Sequence, residues 1–229
     1  MTDVPDTTVL TIDGPSGSGK GTVSRAAAKA LGWALLDSGA LYRLVALGGR
    51  RTGIDLGDEA ALGLLAGRLD IRFDSTPAGE EIVWLDGLDV SRDIRTEAAG
   101  NDASKVASHR AVRAALLERQ RRFAVPPGLV ADGRDMGTVV FPDARVKIFL
   151  TASADERASR RYKQLKEKGV AATLAALSKE IAERDQRDIS RIVSPLVASE
   201  DAVLLDTTGM SVDAVVERVL SIVQERLSG

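Results

Sequence analysis

The segment Gly14-Pro15-Ser16-Gly17-Ser18-Gly19-Lys20-Gly21-Thr22 follows directly on the apolar run Thr8-Val9-Leu10-Thr11-Ile12. A glycine, four residues, then Gly-Lys is the spacing of a phosphate-binding loop. Its glycines let successive backbone N–H groups curl around an anion without Cβ clashes. The helix expected over about 20–31 points its positive end at the same anion. Lys20 can reach the outer phosphates and Thr22 offers a hydroxyl near a magnesium ion. The residue after Lys20 is Gly21, so the hydroxyl arrives one position later than the usual Lys-Ser or Lys-Thr pair. A strand before the loop and a helix after it commit the chain to a strand–loop–helix unit, the start of an α/β fold.

The rest of the chain reads as a continuation of that unit. Trp33–Leu36 is a short buried strand ending at Asp37-Ser38-Gly39, followed by a helix over about 40–51 and a shorter one over 58–67. Asp70–Phe73 and Ile82–Leu85 are strand-like and joined by Ser75-Thr76-Pro77-Ala78-Gly79, and a second turn at Asp86-Gly87-Leu88 precedes Asp89-Val90. Strands joined by short turns differ from the parallel pattern, so residues 68–92 read as the centre of a small antiparallel insertion. A helical stretch interrupted near His109 follows, then core strands over 129–132 and 145–150. Helices over 155–168 and 172–187, a last strand over 202–205 and a final helix capped by Ser211 complete five alternating core strands.

The composition narrows the chemistry. There is no cysteine, and His109 is the only histidine, which excludes thiolate catalysis and Cys- or His-rich zinc sites. A formal net charge of -2 and only 3% aromatic residues argue against nucleic acid as a partner. The chain shows no basic, apolar leader and no apolar run of membrane-spanning length, so the expectation is a cytoplasmic protein with no membrane partner. No heptad repeat or long apolar face demands association, and the chain reads as a monomer.

Arginines at element boundaries are the second clue. Arg43 follows Asp37-Ser38-Gly39-Ala40-Leu41-Tyr42, and Arg134 lies in Asp132-Gly133-Arg134-Asp135 just past a strand end. Open α/β sheets place ligands at such ends. Arg160 and Arg161 lie on a charged helix, and Arg184, Asp188 and Arg191 fall on one helix face if the helix runs that far. Arginine forks suit phosphate oxygens, and two phosphorylated substrates must be held for phosphoryl transfer. Arg119, Arg122 and Arg157 read instead as solvated helix-face charges. Asp37 either caps the next helix or stands near magnesium. Asp132 ends a strand, where a carboxylate can hold magnesium through water.

These segments together resemble the bacterial cytidylate kinases, within the nucleoside monophosphate kinase family of P-loop proteins. The matching stretches are the Gly-Lys-Gly-Thr form of the loop, Leu36–Arg43, Ile94-Arg95-Thr96, Ala131–Ala144, and Glu183–Asp188 followed by Arg191. The resemblance implies a three-layer α/β fold with a central five-stranded parallel sheet, a small antiparallel insertion and a helical lid. It implies a core over 1–67 and 93–229, a monophosphate-binding insertion centred on 68–92, and a lid over about 155–169.

It further implies ATP-dependent phosphorylation of CMP and dCMP, with Mg2+ as cofactor. The loop Gly14–Thr22 would bind ATP, and Lys20, Arg134, Arg160 and Arg161 would be catalytic. Ser38, Ser104, Arg113 and Asp135 would recognise cytosine, and Tyr42 would line the pocket. Arg43, Arg134 and Arg191 would grip the acceptor phosphate, while Arg184 and Asp188 would address the sugar. Thr22, Asp37 and Asp132 would hold magnesium, the carboxylates through water. A kinase for another monophosphate or for a small metabolite, and a nucleotide-dependent switch, are the rival readings.

Overall fold

The computed structural model describes residues 7–76, 81–167 and 169–228. The expectations for residues 1–6, for the turn at 77–80 and for Lys168 lie outside the described residues. The chain divides into two compact units, Met1–Asp37 with Arg121–Gly229, and Ser38–Gln120.

The first unit is built on β1 (Val9–Asp13), β2 (Ala34–Asp37), β6 (Leu129–Gly133), β7 (Val146–Thr151) and β8 (Val203–Asp206). They form a parallel sheet in the order β2-β6-β1-β7-β8. β1 and β6 are buried along their whole length, as expected of central strands covered on both faces. The register places Asp37 opposite Asp132, and Asp13 opposite Gly133. Carboxylates therefore gather along the C-terminal edge of the sheet.

The helices of this unit cover the sheet. α1 (Lys20–Leu31) buries Val23, Ala27 and Ala28, and α8 (Val212–Ser228) buries Val215, Val219, Ile222 and Val223. These spacings put one apolar stripe of each helix on the sheet, where they pack with Leu10, Ile12, Val130, Val146, Ile148 and Leu150. Ser211 accepts from the Ala214 N–H at 3.2 Å, the cap read from the sequence. α6 (Ala154–Glu167) and α7 (Leu174–Ser190) complete the unit.

The second unit holds α2 (Ser38–Thr52), α3 (Glu59–Arg68), the antiparallel strands β3 (Ile71–Ser75), β4 (Glu81–Leu85) and β5 (Leu88–Asp89), α4 (Glu97–Val106) and most of α5 (Arg110–Arg121). The small sheet is the one read from the sequence over 68–92. The compact unit around it reaches further in both directions, because α2 and α4 pack on one another. His109 lies between α4 and α5, and its Nε2 is 2.8 Å from the Leu56 carbonyl.

A turn after β6 ties the strand ends of the first unit together. Met136 and Gly137 donate their N–H groups to Asp13 Oδ1 and Oδ2 at 2.9 and 2.8 Å. Asp13 is buried, and that burial pushes its carboxyl up to about 7 against the pull of the two N–H bonds. The unfolded chain ionises this group near 3.8, whereas the folded chain keeps the proton to about 7. The stability that Asp13 contributes is thus present below the unfolded value and lost as pH rises through the folded one. An Asp13→Asn variant does not titrate. Its stability relative to the wild type should improve across that window, by up to about 1.4 kcal/mol per pH unit, and then level off. Urea unfolding of both proteins across the range measures this. A pH-independent difference would show that the two amide donors keep Asp13 ionised throughout.

Candidate active site

The phosphate loop connects β1 to α1 and is wedged against the next strand. A Cβ on Gly14 would lie 2.0 Å from the Leu150 carbonyl oxygen of β7, and its φ is +152°. Only glycine fits both conditions. Ser18 is buried, and Gly19, at φ 89°, caps α1 without a side-chain bond. Lys20 opens α1 and donates to the Pro15 carbonyl at 3.1 Å, so its side chain folds back over the loop.

Gly21 has a local reason. A Cβ there would stand 3.2 Å from Asp132 Oδ2. The Asp132 carboxylate near the end of β6 thus crowds any side chain at residue 21, and Thr22 is exposed one residue on.

Charges converge on this edge. Desolvation lowers Lys20 to about 7, and the nearby cations Arg134 and Arg184 push the same way against Asp132 and Asp37. Burial raises Asp132 to about 6, opposed by Lys20. Arg134 pairs with buried Asp188 at 3.1 Å, and Arg191 lies 4.0 Å from the same carboxylate. The helical face expected through Arg191 stops one residue early. α7 ends at Ser190, and Arg191 turns to φ -59°, ψ 132° while staying within reach of Asp188. Arg184 donates to Ser16 Oγ at 3.3 Å, which links α7 to the loop.

The α6 arginines behave differently from one another. Arg160 donates to the Ser18 carbonyl at 3.2 Å and to Thr207 Oγ1 at 3.0 Å, and pairs with Glu156 at 2.8 Å. Arg161 is half-buried and donates to Gln164 Oε1 at 3.0 Å. Arg157 corrects the sequence reading. The sequence predicts a solvated charge, whereas Arg157 is 7% exposed and donates to the Ser16 carbonyl at 2.9 Å and the Ala152 carbonyl at 3.1 Å. It also pairs with Asp185 of α7. Asp13, Thr207 and Asp185 join Arg157 as residues that sequence reasoning missed. The signal available for Arg157 was its place in the first turn after β7, a strand-end position like that of Arg134.

The second unit holds Ser38, Tyr42 and Arg43 on α2, Ser104 on α4 and Arg113 on α5. Ser38, Tyr42, Ser104 and Arg113 are buried. The Arg113 guanidinium lies 5.5 Å from the Tyr42 ring centre and donates to the Ala107 carbonyl at 3.1 Å, a cation–π arrangement that fixes both side chains. Arg43 is half-buried, and its Nε has no hydrogen-bond partner among the described residues. Asp135 is buried in the first unit, directly after Arg134.

The donor set for a metal is hard oxygen: Thr22, with Asp37 and Asp132 side by side on β2 and β6. Among the described residues no three His, Cys, Asp or Glu side chains gather as a protein cage. Paired carboxylates completed by water and phosphate oxygens fit magnesium. Among the described residues no helix is long and apolar enough to cross a membrane.

The family model described as cytidylate kinase matches residues 10–225. The chain belongs to the cytidylate kinase family. The cytidylate kinase of Pseudomonas syringae pv. tomato is 60% identical over 214 residues, covering 93% of this chain and 93% of that protein. That of Azotobacter vinelandii is 58% identical over 219 residues, covering 95% and 96%. Among solved structures, a shikimate kinase from Acinetobacter baumannii in complex with shikimate aligns over 96% of this chain and 94% of that one, at 16% identity and a TM-score of 0.44. The family assignment rests on the sequence relatives.

The lowered Lys20 has a measurable consequence. Burial first, then Arg134 and Arg184, lowers the Lys20 ammonium to about 7, whereas a bound triphosphate would favour the charged form. Nucleotide binding above that pH should therefore take up a proton, and the uptake should fade as pH drops below it. Calorimetric titrations in two buffers of unlike ionisation enthalpy measure the uptake. Equal enthalpies in both buffers would mean that Lys20 is already charged in the free protein.

Proposed function

We propose that this chain transfers the terminal phosphoryl group of ATP to CMP and dCMP by direct in-line displacement, yielding the diphosphates. The observation that carries the reading is the setting of the phosphate loop, where Lys20 folds back to the Pro15 carbonyl, Arg184 donates to Ser16 Oγ, and burial followed by the nearby Arg134 and Arg184 holds the Lys20 ammonium below its usual value. Cations held together in this way need an anion among them, and donor and acceptor phosphates would supply it.

The loop amides and Lys20 would hold the donor phosphates. Arg43, Arg134 and Arg191 would take the acceptor phosphate, and Arg184 and Asp188 the sugar. Ser38, Ser104, Arg113 and Asp135 would read the cytosine edge, with Tyr42 lining the base site. A carboxylate at Asp135 can accept from the cytosine amine, whereas the carbonyl of uracil would meet it acceptor to acceptor. An attacking phosphate is already anionic, so positioning and charge stabilisation suffice without a general base.

Arg160 and Arg161 would complete the charge around the transferring group. To reach the transferring group Arg160 would exchange its bonds to the Ser18 carbonyl and Thr207 for phosphate oxygens, as a lid arginine would. Thr22, Asp37 and Asp132 would hold Mg2+, the carboxylates through water. The ion would draw charge from the phosphate oxygens during transfer. The same reading includes action as a monomer in the cytoplasm.

A coupled assay with ATP and a panel of nucleoside monophosphates tests the assignment. CMP and dCMP should be turned over at least about tenfold more efficiently than UMP, AMP or GMP, the scale expected when a buried polar group meets the wrong partner. Equal turnover of several monophosphates would sink the cytosine assignment. Asp135→Ala should raise the KM for CMP far more than that for ATP. Equal losses would reject its base-reading role.

A further inference from the structure

The Arg157–Asp185 pair does work that the proposed phosphoryl transfer does not by itself explain. Arg157 is 7% exposed and spends three bonds inside the first unit: to the Ser16 carbonyl, to the Ala152 carbonyl and to Asp185. Ser16 is a phosphate-loop residue, Ala152 follows β7, and Asp185 lies on α7. The pair therefore joins three separate stretches of chain at a single loop carbonyl. Asp185 is committed to this arrangement, because its second oxygen, Oδ1, is buried with no hydrogen-bond partner among the described residues.

The geometry of the peptide unit gives that carbonyl its importance. The Ser16–Gly17 bond is not among the cis peptides, and in a trans peptide the C=O and the next N–H point in opposite directions from one plane. A guanidinium fixed on the Ser16 oxygen therefore fixes the Gly17 N–H on the opposite side. Gly17 depends on Arg157 a second way. Its φ is +76°, and a Cβ there would lie 3.1 Å from the Arg157 Cβ and 3.4 Å from the Arg157 carbonyl oxygen. The stem of the arginine thus packs against the glycine whose peptide its head orients. α7 reaches Ser16 by a second route as well, since Arg184 donates to the Ser16 hydroxyl at 3.3 Å.

Arg160 differs on each of these counts. It is half-buried, its carboxylate partner Glu156 lies on its own helix, and its contacts are with Ser18 and Thr207. It can leave the loop without stranding a carboxylate on another element. Arg157 cannot.

We propose that Arg157, clamped by Asp185, is a positioning residue that aims the Gly17 amide at the donor phosphates, so that α7 sets the shape of the phosphate loop. The proposal rests on the reading of Gly14–Thr22 as the donor site. It does not depend on which acceptor is used.

The test measures donor binding alone, with the magnesium complex of a non-hydrolysable ATP analogue. In the wild type, nucleotide should shift the Gly17 amide resonance together with those of Lys20 and Gly21. In Arg157→Met, affinity should fall about tenfold, the scale of one aimed hydrogen bond to a charged group. The Gly17 shift should be lost while the Lys20 and Gly21 shifts persist. Arg157→Lys, which keeps one donor, should recover part of the affinity, and Asp185→Asn should lie between wild type and Arg157→Met. If Arg157→Met fails to fold, Arg157→Lys and Asp185→Asn decide the matter. Affinity within twofold of wild type and an unaltered Gly17 shift in these variants, whatever their melting temperatures, would overturn the proposal. Intact analogue binding with no turnover of CMP would overturn the assigned reaction and leave this inference standing.

Discussion

A loop that turns amide hydrogens toward an anion must turn carbonyls the other way, and those carbonyls need donors of their own. In this chain the donors come from distant sequence. Arg157 serves Ser16, and Arg160 serves Ser18 with the help of Thr207. Thr207 is itself fixed at the end of β8 by the Thr151 carbonyl, through its N–H at 2.9 Å and its hydroxyl at 3.0 Å. The reverse side of the loop is a scaffold of arginines, helices and strand ends. That scaffold explains how a segment rich in glycine can hold one shape before any ligand arrives.

The parallel sheet supplies the other half of the arrangement. Five strands running the same way deliver their C-terminal residues to one edge, and the register sets Asp37 beside Asp132 and Asp13 beside Gly133. Carboxylates so placed are costly to bury without partners. Asp13 is met by two backbone N–H groups and Asp132 by the field of Lys20, while on α7 the buried Asp188 is met by Arg134 and Arg191. The shifts of Lys20 and Asp132 toward their neutral forms follow from burial at this edge, each opposed by the charge of the other.

The elements of this edge differ in how far they can be read from sequence. α1 begins and ends where the loop spacing and apolar periodicity place it, because a phosphate loop fixes its helix start and Gly32, at φ 67°, fixes the stop. The antiparallel sheet is visible in its turn residues. The extent of the unit around it is not, because amphipathic helices such as α2 and α4 show the same stripe whichever neighbour they cover. Arg157 escapes for a related reason. The run Asp155-Glu156-Arg157-Ala158-Ser159-Arg160-Arg161 reads as a solvated charged helix. Only the path of α7, carrying Asp185 across from it, makes one of those arginines internal. Asp13 reads as the last residue of a strand, and nothing local announces the two amides that meet it from more than a hundred residues away.

Gly21 shows how a departure from a familiar pattern can be a packing decision. Where many phosphate loops carry a hydroxyl, this chain carries a hydrogen, because the Asp132 carboxylate stands in that space. The two positions are a lock and its ward, one shaped by the other across more than a hundred residues. An engineer who restored the commoner threonine at residue 21, taking the glycine for a blemish, would be asking the Asp132 carboxylate to shift by a few tenths of an ångström. A homologue bearing a hydroxyl at that position is accordingly expected to hold its strand-end carboxylate in a slightly different place.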